Sequence, residues 1–111
     1  MNWNKIDSEE ILKQLDKESN DQKILIFKHS TRCSTSSMVL SRLERNWKDT
    51  EMKDVKPYFL DLVNHRDLSK QIAEMYAITH ESPQLLIISE GKCLYNASHS
   101  DIYYDSIASQ I

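Results

Sequence analysis

Ile24-Leu25-Ile26-Phe27-Lys28-His29-Ser30-Thr31-Arg32-Cys33-Ser34-Thr35-Ser36-Ser37-Met38-Val39 is the stretch on which the reading of this chain turns. Its first four residues form an uninterrupted apolar run, as in a strand buried on both faces. Its end opens a helical pattern, in which Val39, Leu43 and Trp47 fall four apart with Met38 and Leu40 beside them. Cys33 is therefore expected in a strand-to-helix turn, at or near the first turn of the helix. Free N–H groups and the positive end of the helix dipole stabilise an anion there. The thiolate, the reactive form of cysteine, is such an anion. Arg32 adds a positive charge, and Thr31, Ser34 and Ser36 add hydroxyls. Core cysteines usually share an apolar run, whereas Cys33 has no apolar neighbour between Ser30 and Ser37.

The elements on either side follow from pattern. Asp7 or Ser8 is positioned to cap a first helix, with Glu10 three after Asp7 as in a capping box and Ile11, Leu12 and Leu15 as its apolar stripe. That helix is expected to fade between Lys17 and Gln22. Lys23 to Lys28 reads as the first strand, and the helix after Cys33 is expected to run to about Lys48. Val55 to Leu62 reads as a second strand with Pro57 near its start. Asp67 to about Tyr76 reads as a helix, with Leu68, Ile72, Met75 and Tyr76 on one face. Gln84 to Ser89 and Lys92 to Ala97 form a hairpin about Glu90-Gly91, where Gly91 can take positive φ. Simple alternation along the returning strand puts Cys93 and Tyr95 on one face. Ser98 or Ser100 is expected to cap a last helix that turns Ile102, Tyr103, Ile107 and Ile111 inward. The sum is one α/β domain over 1–111, with a four-stranded mixed sheet flanked by helices in the order α-β-α-β-α-β-β-α. The first two strands, joined by a helix, are expected to be parallel. Cys33 then lies at the carboxyl end of a strand, where open α/β sheets place their sites.

Composition removes several classes. Charged residues make up 28% and hydrophobic residues 40%, ordinary for a globular protein. A net charge of −3 argues against a general nucleic-acid binder. No apolar run approaches a membrane span, and the first residues lack a signal peptide's apolar core, so a cytoplasmic location without membrane contact is expected. The single glycine excludes Gly-rich phosphate loops and dinucleotide fingerprints. Two distant cysteines make neither a disulfide framework nor a zinc knuckle. His65, His80 and His99 lack metal-ligand spacing, so no metal site is expected.

The cysteine after the first strand, the Ser82-Pro83 step before the third and the order of elements together resemble the thioredoxin fold. The loop from His29 to Ser36, with Trp47, Phe59-Leu60-Asp61 and Glu81-Ser82-Pro83-Gln84, resembles the YtxJ-like monothiol bacilliredoxins of the bacillithiol system. That resemblance implies a cis Pro83 facing Cys33, with the Ser82 backbone open to an extended substrate peptide. It implies removal of bacillithiol from bacillithiolated proteins through Cys33, with no bound cofactor. The same resemblance implies bacillithiol as co-substrate, and bacillithiol or another redox protein to regenerate the thiol. One departure is Ser34, where the group commonly has proline.

The residues themselves leave alternatives open. Position 36, where a dithiol enzyme has its resolving cysteine, holds serine, so the expected chemistry is monothiol. Arg32 could bind the carboxylates of bacillithiol or be a solvated surface charge. Thr31 could bond the sulfur or cap the helix, and Ser36 could donate to the thiolate or do nothing special. Cys93 is either a distant resolving thiol or, the more ordinary case, a buried structural residue. A monothiol glutaredoxin is a competing reading, although its Cys-Gly-Phe-Ser loop and Gly-Gly pair are missing. An arsenate-reductase-like or regulatory protein has little room for the helical insertion it commonly carries. A non-catalytic binding module on the same fold completes the set.

Overall fold

Ile24, Leu25, Ile26 and Phe27 are all solvent-inaccessible, at the centre of the molecule. A computed structural model describes every residue, Met1–Ile111. In chain order it has β1 (Asn4–Lys5), α1 (Glu9–Glu18), β2 (Lys23–His29), α2 (Ser34–Asn46), β3 (Val55–Asp61), α3 (Arg66–Tyr76), β4 (Gln84–Ser89), β5 (Lys92–Ser98), a 3-10 turn (His99–Asp101) and α4 (Tyr104–Ala108). The strands form one mixed sheet in the order β1-β3-β2-β4-β5. β2 pairs parallel to β3 and antiparallel to β4, and β4 pairs antiparallel to β5.

The sheet has five strands, not four. The extra strand, β1, is two residues long and pairs parallel with Tyr58 and Phe59. Two residues show no periodicity, so nothing local announces them. Pro57 is tolerated inside β3 because β1 begins only opposite Tyr58; its carbonyl accepts from the Asn4 side chain at 3.0 Å.

Side chains alternate across β2 and feed two cores. Ile24 and Ile26 join Leu12 and Leu15 of α1 and Leu68, Ile72 and Tyr76 of α3. Leu25 and Phe27 join Val39 and Leu43 of α2 and Tyr104 and Ile107 of α4. Each fully buried Leu, Ile or Phe contributes roughly 1.5–3 kcal/mol of transfer free energy, and both faces of β2 are built of such residues.

Several local expectations shift. Ser8, not Asp7, caps α1, its hydroxyl accepting from Ile11 N–H at 3.4 Å; Glu10 then falls outside the capping-box position. α2 stops at Asn46, because Trp47 turns to extended backbone. Tyr103 is exposed and Tyr104 buried, since the chain forms a 3-10 turn before α4 and rotates the phase of the pattern. Neither Ser98 nor Ser100 caps α4; Tyr103 stands there. Ile111 is exposed rather than inward. Glu90 and Gly91 both take positive φ, the type I′ hairpin geometry. A bulge in β5 leaves Ile87 opposite Tyr95 but Ile88 opposite Cys93. The extra residue, Leu94, reverses the alternation. Cys93 therefore packs on the α1/α3 core and Tyr95 on the α2/α4 core, not on one face.

Lys28 ends the apolar run and is as inaccessible as its neighbours. Its Nζ lies 3.4 Å from Ser69 O and 3.4 Å from His80 Nδ1, and no carboxylate pairs with it. Desolvation pulls its pKa from the ordinary 10.5 to about 8. The folded state therefore sheds this proton before the unfolded chain does. Between pH 8 and 10.5 the unfolded chain binds more protons, so stability rises with pH there, and below 8 the burial penalty is full. Lys28→Met, close in volume, is expected to be more stable than the parent at pH 7 by up to about 3 kcal/mol in urea unfolding. It should also lose that share of the rise above pH 8. A less stable variant would mean that the ammonium's two contacts outweigh its desolvation.

Candidate functional site

Cys33 is the N-cap of α2, with extended backbone (φ −113°, ψ 116°), and is half-buried. Its N–H donates to Ser30 O at 3.1 Å, closing the Ser30–Cys33 turn, and its carbonyl accepts from Ser37 N–H at 3.2 Å. An N-cap side chain ordinarily accepts from the N–H groups two or three residues on. The Cys33 side chain makes no such bond, so those donors are unspent at the position where a sulfur anion would use them. No acidic residue lies in the first turn of α2 to oppose a negative charge.

The other hydroxyls divide. Thr31, Arg32 and Ser34 are exposed. Thr31 does not cap α2, because Cys33 occupies that position. Ser36 is fully buried, and its Oγ takes the Ser30 N–H at 3.1 Å and lies 2.7 Å from His29 Nδ1. This three-way contact ties the end of β2 to the first turn of α2. His29 packs against the Phe59 ring at 5.4 Å between centroids. Burial holds its pKa below the ordinary value, against opposing pulls from Asp61 and Glu44, so the imidazole is neutral near pH 7.

The Ser82–Pro83 peptide is cis, and Pro83 is buried with its carbonyl accepting His99 N–H at 2.9 Å. Lys28 pairs with Gln84. One further step of that register sets Pro83 opposite His29, at the same end of the sheet as the Ser30–Cys33 turn. Gln84 braces the loop, donating to Thr79 O at 3.0 Å and accepting from Glu81 N–H. His99 Nε2 and Glu81 Oε2, 2.6 Å apart, add a hydrogen bond across it.

Cys93 is remote. It pairs through Ile88 with Ile24, five residues up β2 from His29 and so about 17 Å along the strand. It also faces the α1/α3 core, whereas α2 lies on the other side. Burial pushes its thiol pKa up, and its Sγ lies 3.3 Å from Tyr95 O. A disulfide requires Cα atoms within about 7 Å, so this fold cannot bridge Cys33 to Cys93.

The comparisons bear on this geometry. A family model described as monothiol bacilliredoxin BrxC matches residues 4–107. The chain belongs to that family. Among solved structures it is similar to one described as "a putative oxidoreductase with a thioredoxin fold", at 28% identity and TM-score 0.79 over 96% of this chain and 90% of the other. It is also similar to thioredoxin from Malassezia sympodialis (15% identity, TM-score 0.76, 97% and 86% covered). Mitochondrial thioredoxin 3 of Saccharomyces cerevisiae in its oxidised form gives 17%, 0.75, 98% and 92%. The two thioredoxins establish the fold alone. In this bacilliredoxin-family chain the fold is thus the thioredoxin fold, and the family is one of monothiol redox proteins. No helix is long and apolar enough to cross a membrane.

Sequence reasoning did not anticipate the His29–Ser36–Ser30 contact, although the seven-residue spacing of a histidine and a serine across a strand-to-helix turn is a usable signal. Ser36→Ala leaves a buried imidazole nitrogen and an amide without their partner. The expected cost is about 1–3 kcal/mol by urea unfolding, while thiol alkylation at Cys33 should change by less than about threefold. A variant of native stability whose alkylation rate collapses would instead assign the Ser36 hydroxyl to the sulfur.

Proposed function

We propose that this chain is a monothiol thiol–disulfide oxidoreductase that removes bacillithiol from protein mixed disulfides through Cys33. The observation that carries the reading is the placement of a half-buried thiol at a helix N-cap, with a buried serine three residues on and the second cysteine beyond bridging distance. Such a site can attack a disulfide but holds no sulfur of its own to resolve the product.

The steps follow from that. The Cys33 thiolate attacks the bacillithiol sulfur of the mixed disulfide. The new Cys33–bacillithiol disulfide forms as the protein–bacillithiol bond breaks, and the departing protein thiolate takes a proton from solvent. A second bacillithiol thiolate then attacks the bacillithiol sulfur on Cys33, releasing oxidised bacillithiol and the Cys33 thiolate. Another redox protein can supply that second thiol. The Ser82 backbone, at the head of β4 beside the cis peptide, is the natural edge for an extended segment of the protein substrate. Thr31, Arg32 and Ser34, exposed around the thiol, are the side chains available to the incoming small thiol.

Intact mass after incubation with oxidised bacillithiol and, separately, oxidised glutathione tests this. One bacillithiol adduct is expected on the parent and on Cys93→Ala, and none on Cys33→Ala. The parent is also expected to strip bacillithiol from a bacillithiolated test protein in stoichiometric amount. An internal Cys33–Cys93 disulfide, or loss of turnover in Cys93→Ala, would overturn the monothiol mechanism. Transfer from glutathionylated but not bacillithiolated protein would shift the reading to a glutaredoxin.

A further inference from the structure

Beside the Cys33 turn lies a cleft of about 470 Å³, whose walls include Ser30, Arg32, Arg66, Ser69, Lys70 and His80. Its charge is one-sided: it is lined by Arg32, Arg66 and Lys70 and by no carboxylate. The one lysine or arginine ion pair of the molecule is Lys56–Glu18, so none of these three cations is neutralised by a partner. Arg66 and Lys70 are four apart in α3, with Ser69 between them and Ala73 a turn on, so they form one stripe of the helix facing the turn that carries Arg32. Beneath the cleft is the buried Lys28 ammonium, whose contacts, Ser69 O and His80 Nδ1, belong to two residues of the wall. A buried cation without a counter-charge is costly. Three more cations left unpaired around the same space make the region a place where an anion is strongly favoured.

We propose that this cleft is a dicarboxylate-binding site that seats the acidic end of the small thiol while its sulfur reaches Cys33, with Arg66 and Lys70 joining Arg32 as the direct contacts. The assignment rests on the reading of Cys33 as a bacillithiol-transferring thiol and gives that reading its source of selectivity. Bacillithiol carries a malyl group with two carboxylates; arginine offers planar paired donors for one and lysine a point charge for the other. The space suits a small molecule rather than a protein segment, and it opens one residue from the nucleophile, since Arg32 lines it and Cys33 follows. A protein substrate has its own place along Ser82 and Pro83. Sequence reasoning missed Arg66 and Lys70 because, on a lone helix, they read as solvated charges.

Two measurements test it. Malate titrated into the 15N-labelled parent should give saturable shifts at the amides of Ser30, Arg66, Ser69 and Lys70, which the Arg66→Gln/Lys70→Gln double variant should lose. The rate of Cys33 thiolation should then be compared for oxidised bacillithiol and for uncharged 2-hydroxyethyl disulfide. The double variant is expected to lower the ratio of the two rates by roughly tenfold or more, and Arg66→Lys with Lys70 intact to recover part of it. A flat malate titration, or an unchanged ratio, overturns the site while leaving the Cys33 chemistry standing. If the parent takes no bacillithiol at all, the proposed function fails instead, and the titration alone decides whether the cleft binds a dicarboxylate.

Discussion

The double burial of β2 is the constraint on which the rest depends. A strand with apolar side chains on both faces must be paired on both edges and covered on both sides. β3 and β4 supply the pairing, α1 and α3 one cover, α2 and α4 the other. Everything useful then accumulates at the carboxyl end of β2, because three elements meet there for reasons of pairing alone. α2 starts after His29, α3 starts after β3 ends opposite it, and β4 begins at the cis peptide. The strict alternation of β2 also separates two roles. Its last two residues point to opposite faces, so Lys28 goes under α3 and the cleft, and His29 goes under the Cys33 turn.

That separation gives the residue at position 36 a task that cysteine would perform poorly. The Ser36 hydroxyl is buried and serves an amide and an imidazole at once. A thiol is a weak donor and a weak acceptor, so cysteine there would loosen the junction that holds the helix start against the strand end. The residue that would resolve a disulfide in a dithiol enzyme here positions the turn. With Cys93 out of reach on the far end of the sheet, a disulfide formed on Cys33 can be cleared only by a thiol from outside.

What could be read from the sequence was what repeats locally. The apolar runs of β2 and β4, the stripes of α1, α2 and α3 and the Glu90-Gly91 turn each carry their own period or turn chemistry, and Cys33 was placed by the change of period around it. The two-residue β1, the Leu94 bulge and the 3-10 turn before α4 carry none, and they are where the reading slipped. The bulge matters most, since one extra residue moves Cys93 from one core to the other. The site's electrostatics were illegible for a different reason. Arg66 and Lys70 are separated from Arg32 by more than thirty residues, and Lys28 looked like a strand end until pairing on both sides buried it.

Ser34 is the point at which this chain departs most from the pattern it resembles, and its position gives that departure a physical meaning. It is the first helical residue after the N-cap, the place where proline fits because its missing N–H would have had no partner in the helix. Serine keeps that N–H, so the turn that follows Cys33 presents one more backbone donor to whatever negative charge gathers at the sulfur. It also gives up proline's fixed φ, and some of the stiffness lost there is restored by the Ser36 contact two residues on, which pins the same turn from beneath. A turn pinned at Ser36 and free of proline at Ser34 fits the proposed cycle, in which a disulfide on Cys33 is attacked by a thiol from outside. The incoming sulfur needs room at the exposed edge of the turn, while the helix start that favours the anion must not move.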